Sequence, residues 1–255
     1  MSDRTNLVEI FSAIQGEGLN VGTRQIFVRF GGCDLRCTYC DSEHTWVAQK
    51  TCEIEQTPGQ RDFQEYPNPV SIDQVWGWVK NQNTPHLHDS ISITGGEPLL
   101  HAKFLQQLLP LLRSTGLPIY LETAGHRPQQ LASIAEYLDL VGMDIKLPSV
   151  SGESHWAAHQ EFLRVCVEQG CAVFGKIIVS QATLLADLTK AAELVAAIDP
   201  QIPVFLQPVS ALEHPHHGNP LPPLPEQVLE WQALLKQSLA TVRVVPQTHK
   251  AIDQK

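Results

Sequence analysis

Gln25-Ile26-Phe27-Val28-Arg29-Phe30-Gly31-Gly32-Cys33-Asp34-Leu35-Arg36-Cys37-Thr38-Tyr39-Cys40 is the stretch from which the rest of the chain is read. Residues 25–30 are mostly β-branched or aromatic, which predicts a strand, and Gly31-Gly32 ends it. Three cysteines follow at once on one short loop. Strands that deliver polar groups from their carboxyl ends are how βα proteins build ligand sites.

Outward from this stretch, short β-rich runs alternate with helical patterns. Ser90-Ile91-Ser92-Ile93-Thr94 reads as a second strand stopped by Gly95-Gly96, and residues 118–122, 140–145, 171–179 and 204–207 read as four more. Residues 71–80 read as a helix: Ser71 and Gln74 form a capping box, and Ile72, Val75, Trp76 and Val79 share a face. Residues 99–113 form a leucine-rich helix that Pro110 bends or shortens. Helices are also expected over 128–137, 159–169 (with Gly170 as its stop), 183–198 and 226–239. Residues 44–69 and 208–225 read as loops, the first broken by Pro58-Gly59 and Pro67-Asn68-Pro69. The second carries His214, His216 and His217, which read as solvated in a proline-rich setting. Six strands separated by helices imply a parallel α/β sheet in one domain spanning 1–255. A doubly wound sheet and a partial barrel both fit this pattern.

The chain has 255 residues, 43% of them hydrophobic, which fits a globular fold with a sizeable core. Lys plus Arg is 18 and Asp plus Glu is 27, for a net charge of −9. An acidic balance argues against broad nucleic-acid binding, which needs clustered cations. No apolar run approaches the about 20 residues of a bilayer-spanning helix. Met1-Ser2-Asp3-Arg4-Thr5-Asn6 lacks the basic-then-apolar order of a secretory signal, so the expectation is a cytoplasmic protein away from membranes.

Cys33, Cys37 and Cys40 are three of six cysteines, the others being Cys52, Cys166 and Cys171. In a reducing compartment, clustered thiols point to metal rather than to disulfides. Three thiolates on one loop can hold three irons of a cubane cluster, leaving one iron open. The rival reading is a zinc knuckle completed by Cys52 or His44, a scaffold without catalysis. Cys166 and Cys171 read as small core residues. Thr94-Gly95-Gly96-Glu97-Pro98 follows the second strand; its glycines permit close backbone approach, and Glu97 adds a carboxylate able to accept from an amino group.

A cysteine triplet after one strand and Gly-Gly-Glu-Pro after the next resemble the radical S-adenosylmethionine (SAM) superfamily, over about residues 11–207. The resemblance implies an open, partial βα barrel of about six parallel strands holding a 4Fe–4S cluster. It implies that the open iron binds the methionine portion of SAM while Gly95, Gly96 and Glu97 steady its amino group. The reduced cluster then yields a 5′-deoxyadenosyl radical. It further assigns SAM contacts to Tyr39, Asp41, Glu122, Asp144, Ile145, Lys146 and Gln207.

Glu9-Ile10-Phe11-Ser12-Ala13-Ile14-Gln15-Gly16-Glu17-Gly18 narrows this. Read alone, it is a glycine-rich hairpin turn with an amide and a carboxylate on offer. Phe-Ser-x-x-Gln-Gly-Glu-Gly, then Arg29, then Cys-x₃-Cys-x₂-Cys-Asp-Ser, is similar to 7-carboxy-7-deazaguanine synthases. Those enzymes rearrange 6-carboxy-5,6,7,8-tetrahydropterin with loss of ammonia, feeding queuosine and related 7-deazapurines. The resemblance implies that Ile14, Gln15, Gly16, Glu17, Thr94 and His249 contact the pterin. It implies that Arg29 takes its carboxylate and Ser42 is the one protein ligand of a Mg²⁺ ion. A flavodoxin- or ferredoxin-like electron donor and a homodimer follow from the same resemblance. One departure stands out: Asp144-Ile145-Lys146 replaces the Ser-Pro-Lys of many such synthases. The acidic form also occurs in glycyl-radical-enzyme activases, which makes activation of a protein glycine the rival reaction. The longer segment 44–69 has no assigned role.

Overall fold

The computed structural model describes residues 3–210 and 220–254; His214, His216 and His217 lie outside the described residues. The strands are β1 (Arg4–Thr5), β2 (Leu7–Ile14), β3 (Arg24–Phe30), β4 (Thr51–Glu55), β5 (Phe63–Pro67) and β6 (Val70–Ser71) in the first part of the chain. They continue as β7 (Ser90–Gly95), β8 (Ile119–Thr123), β9 (Leu140–Asp144), β10 (Ala172–Val179), β11 (Val204–Pro208) and β12 (Val242–Val244). The helices are α1 (Ile72–Gln82), α2 (Ala102–Arg113), α3 (Pro128–Ala132), α4 (Pro148–Ser151), α5 (Trp156–Glu168), α6 (Leu185–Ala196), α7 (Pro225–Leu235) and α8 (Thr248–Ala251).

Ten strands form one sheet in the order β12-β11-β10-β9-β8-β7-β3-β2-β4-β5. From β3 through β12 every neighbouring pair is parallel. The strand order steps one way along the chain without the reversal of a doubly wound sheet. The end strands β12 and β5 do not pair with each other, so the barrel is open. The expected six parallel strands are present, and β12 adds a seventh.

Several expectations need correction. Residues 44–69 are not simply a loop: β4 and β5 pair antiparallel and extend the sheet beyond β2. Leu7–Ile14 is a strand running antiparallel to β3, and the turn begins only at Gln15, whose amide and carbonyl bond to Thr23 and Gly22. The helix expected over 128–137 stops at Ala132 and resumes as a short 3₁₀ turn at Ala135–Tyr137. Pro110 does not shorten α2, which runs on to Arg113. The capping box at Ser71 forms, with Gln74 N–H donating to Ser71 Oγ and Ser71 N–H donating to Gln74 Oε1.

The strands are two-faced. On β8, Ile119 and Leu121 pack in the core while Tyr120 and Glu122 line a cavity. On β10, Ile177 and Val179 are core while Phe174, Lys176 and Ile178 line the cavity. The period-two alternation puts helices on one side and polar chemistry on the other. Leu105, Leu108, Leu109 and Leu112 of α2 are fully buried against the sheet. Each such leucine stabilises the fold by roughly 1.5–3 kcal/mol relative to exposure. Among the described residues no helix is long and apolar enough to cross a membrane.

Candidate active site

A cavity of about 930 Å³ opens at the carboxyl ends of the parallel strands. That is within the range of sites that hold a cofactor together with a small substrate. Cys33, Cys37 and Cys40 line it. Their loop is held from three directions. Cys33 N–H donates to Trp46 O at 3.2 Å, Thr38 N–H to Ser151 O at 3.3 Å, and Arg36 N–H to Glu153 Oε1 at 2.9 Å. From the turn after β8, Arg127 and His126 both meet the Asp34 carboxylate, at 2.6 and 3.0 Å.

Burial pushes the Cys33 and Cys40 thiols up to about 11, and raises Cys37 as well. Iron must therefore displace protons from neutral thiols. Leu35 N–H points at Cys33 Sγ from 3.5 Å, the kind of donor that steadies a thiolate bound to iron. Among the described residues no three His, Cys, Asp or Glu side chains converge on a single-ion site. Of the two fourth ligands offered for a zinc knuckle, Cys52 is 1% exposed in β4 within the main core and does not line the cavity, whereas His44 does line it. The donor set fits a cluster that takes one thiolate per iron.

Gly95 and Gly96 serve strand packing as well as the cavity wall. A Cβ on Gly95, at φ +142°, would lie 2.2 Å from Phe30 O; one on Gly96 would lie 2.4 Å from Gly32 O and 2.9 Å from Cys33 Cβ. The Gly-Gly turn is thus pressed against the cysteine loop. Glu97 is fully buried and does not line the cavity. Its carboxylate accepts from Leu99 N–H, Thr123 Oγ1 and Ala124 N–H, all within 3.0 Å, and so ties the ends of β7 and β8 together. Ile145, 1% exposed in the core, likewise offers no side chain to the cavity.

The remaining predicted SAM residues line the cavity: Tyr39, Asp41, Glu122, Asp144, Lys146 and Gln207. Lys146 Nζ donates to Asp144 Oδ2 at 2.9 Å and to Tyr39 OH at 3.2 Å. Burial alone would lower the Lys146 pKa, but the Asp144 charge holds it well above the ordinary lysine value. Gln207 is 3% exposed, and its Oε1 is buried without a hydrogen-bond partner. An orphaned acceptor on a cavity wall suits a ligand amino group such as that of adenine.

Across the cavity stand the residues expected to read a pterin. Ile14, Gln15, Gly16, Glu17, Arg29, Thr94 and His249 all line it. Gln15 Nε2 donates to Glu122 Oε1 at 2.9 Å, while Gln15 Oε1 accepts from Glu17 N–H at 3.0 Å. The C-terminal helix lies over this turn. Thr248 N–H donates to Gly16 O at 3.0 Å, and a Cβ on Gly16 would run into His249. Ser42 also lines the cavity, donating to Asp41 Oδ1 at 3.1 Å. Lys250 and Gln247 meet the other Asp41 oxygen; burial opposes ionisation, yet these contacts hold Asp41 down to about 2.

Among the cavity residues to which the sequence assigned no role are Glu9, Gln247 and Lys176. Lys176 had a signal, a lone charge within the apolar run Ala172–Val179. Glu9 and Gln247 belong to the segments that carry Gln15 and His249, and the fold brings them to the cavity as well.

Comparison with known proteins agrees with this geometry. The model of the "Radical SAM superfamily" matches residues 27–174. A "7-carboxy-7-deazaguanine synthase" of Geobacter sulfurreducens is 45% identical over 97% of each chain. One of Thermococcus kodakarensis is 34% identical over 82% of this chain and 86% of its own. The crystal structure of QueE from Escherichia coli superposes with a TM-score of 0.63, covering 96% of this chain and 95% of that one at 22% identity, which shows a shared fold. The chain belongs to the radical SAM superfamily and, within it, to the 7-carboxy-7-deazaguanine synthase family.

Proposed function

We propose that the chain converts 6-carboxy-5,6,7,8-tetrahydropterin to 7-carboxy-7-deazaguanine with loss of ammonia, in the cytoplasm, for queuosine or a related 7-deazapurine. The observation that carries this is one cavity lined both by the Cys33, Cys37, Cys40 thiols and by Gln15, Glu17 and Arg29. The cluster and SAM, when bound, supply a radical that takes hydrogen from the substrate. The chain's own groups do the rest. Cys33, Cys37 and Cys40 hold the cluster, and Tyr39, Asp41, Gly95, Gly96, Glu122, Asp144, Lys146 and Gln207 form the SAM wall. Ile14, Gln15, Gly16, Glu17, Thr94 and His249 orient the pterin, and Arg29 fixes its carboxylate through a planar fork. Ser42 offers its hydroxyl to Mg²⁺, which commonly keeps water and substrate oxygens as its other ligands. Residues 1–255 act as one radical SAM domain. A flavodoxin- or ferredoxin-like protein delivers the electron, and the working form is a homodimer.

The test is anaerobic. Protein with a reconstituted cluster is given reductant, SAM, Mg²⁺ and the pterin, and products are followed by mass. A product with the mass and spectrum of 7-carboxy-7-deazaguanine is the expected result. SAM cleavage with the pterin untouched would reject the reading and favour a protein glycine as substrate.

A further inference from the structure

Lys176 touches both sides of the cavity described above. It stands opposite Asp144 in the parallel register of β10 on β9, and its Nζ lies 3.1 Å from Asp144 Oδ1. The same Nζ pairs with Glu17 Oε2. The second Asp144 oxygen meets Lys146, which in turn meets Tyr39, the neighbour of Cys40. The second Glu17 oxygen accepts from Gln247 Nε2 at 2.7 Å. A continuous run of polar contacts therefore joins Tyr39, Lys146, Asp144, Lys176, Glu17 and Gln247. Burial alone would lower the Lys176 pKa; the charges of Asp144, Glu17 and Glu122 reverse this and hold it above the ordinary lysine value. Its side chain is only 14% exposed. In such a setting the loss of one cation leaves three neighbouring carboxylates with less positive charge to offset them.

We propose that Lys176 is a positioning residue that ties Glu17, on the substrate side, to the Asp144–Lys146 wall of the SAM pocket, so that one cation holds both sites in register. The Glu17 half of this rests on the pterin reading above; the Asp144 half does not. Lys176 acts by holding the Glu17 and Asp144 carboxylates at fixed positions on the cavity wall.

The experiment uses cluster-loaded protein without reductant, so that SAM stays intact, and reads dissociation constants by titration calorimetry. The Lys176→Met variant is expected to weaken SAM and the pterin by about tenfold each, the effect of roughly 1.4 kcal/mol. Double-mutant cycles separate this from general damage. In an Asp144→Asn background the Lys176→Met penalty on SAM should shrink to within about twofold, and in a Glu17→Gln background the penalty on the pterin should shrink likewise. Undiminished penalties in both backgrounds, or unchanged affinities in Lys176→Met itself, would overturn the proposal. Should Lys176→Met fail to load its cluster, Lys176→Gln, which keeps a donor and drops the charge, takes its place in the same cycles. Wild-type protein that binds SAM but not the pterin rejects the substrate reading. The Glu17 half then falls with it, while the Asp144 cycle still decides the SAM half.

Discussion

Arg29 Nε donates to Glu9 Oε1 at 2.7 Å, across the antiparallel pair of β3 and β2. Glu9 is 3% exposed, and the Arg29 guanidinium lies 5.6 Å from the centre of the Phe11 ring. Glu9 and Phe11 thus fix the plane of a fork whose terminal nitrogens the proposed reaction assigns to the pterin carboxylate. Arg29→Ala should weaken pterin binding by about 10- to 100-fold, the worth of a charge-assisted contact, and leave SAM binding unchanged. It should also destabilise the fold, because the Arg29–Glu9 ion pair is lost; breaking a buried pair costs up to roughly 3 kcal/mol. Adding Glu9→Gln should restore part of the melting temperature and none of the affinity. Full pterin affinity in Arg29→Ala would remove Arg29 from the site.

The cysteine loop makes a separable prediction. Its backbone is anchored by Trp46, Ser151 and Glu153, and none of those bonds uses a cysteine sulfur. Cys37→Ala should therefore fold with a near-native circular dichroism spectrum while losing cluster iron and all SAM cleavage. Retained iron with turnover would refute the cluster assignment. Cys52→Ala is the control: Cys52 belongs to the core, so the change should lower stability by about 1 kcal/mol and leave iron content intact.

Ser42 gives a third. Its Oγ donates to Asp41 Oδ1, so the hydroxyl is already aimed at the cavity edge. Ser42→Ala should blunt the stimulation of turnover by Mg²⁺, and Ser42→Thr should keep it. The same Mg²⁺ response in Ser42→Ala would leave the hydroxyl without that role.

The legible parts of this protein were those written in local pattern. The strand before Cys33, the Gly-Gly turn after β7 and the Ser71 cap all follow from residues within a few positions of one another. Strand β2 was harder, because its buried Glu9 and Ser12 break the apolar pattern and their side chains meet residues distant in sequence, Arg29 for Glu9 and His88 and Arg24 for Ser12. The β4–β5 hairpin was masked by prolines and glycines at its ends. Glu97 shows the limit for the site itself: its motif suggested a ligand, whereas Thr123 and Ala124, over twenty positions away, consume its oxygens. Lys176 was visible only as an oddity in its strand until β9 brought Asp144 beside it.

A last prediction concerns acid. His159 is fully buried next to Lys146. Its Nε2 accepts from Lys146 N–H at 3.0 Å, and its Nδ1 donates to Gly125 O at 3.0 Å. Both partners demand the neutral ring with its proton on Nδ1. Burial, against the pull of the Gly125 carbonyl and helped by the Lys146 charge, pushes its pKa down from 6.5 to about 4. The unfolded chain then binds the extra proton more readily than the folded one between those two values. Stability from this group is complete above about pH 6.5 and drains away as pH falls towards about 4, a loss on the order of 3 kcal/mol. Buried His88, also pushed down to about 4, adds to the slope, while Glu97 and Glu122, raised by burial, oppose it. His159→Gln isolates the one share. Urea unfolding at pH 7.5 and at pH 5 should show a smaller difference for the variant than for the wild type. Equal differences would mean that His159 takes up its proton without cost. The Lys146 amide, and with it the carboxyl end of β9, would then be held by something other than this ring.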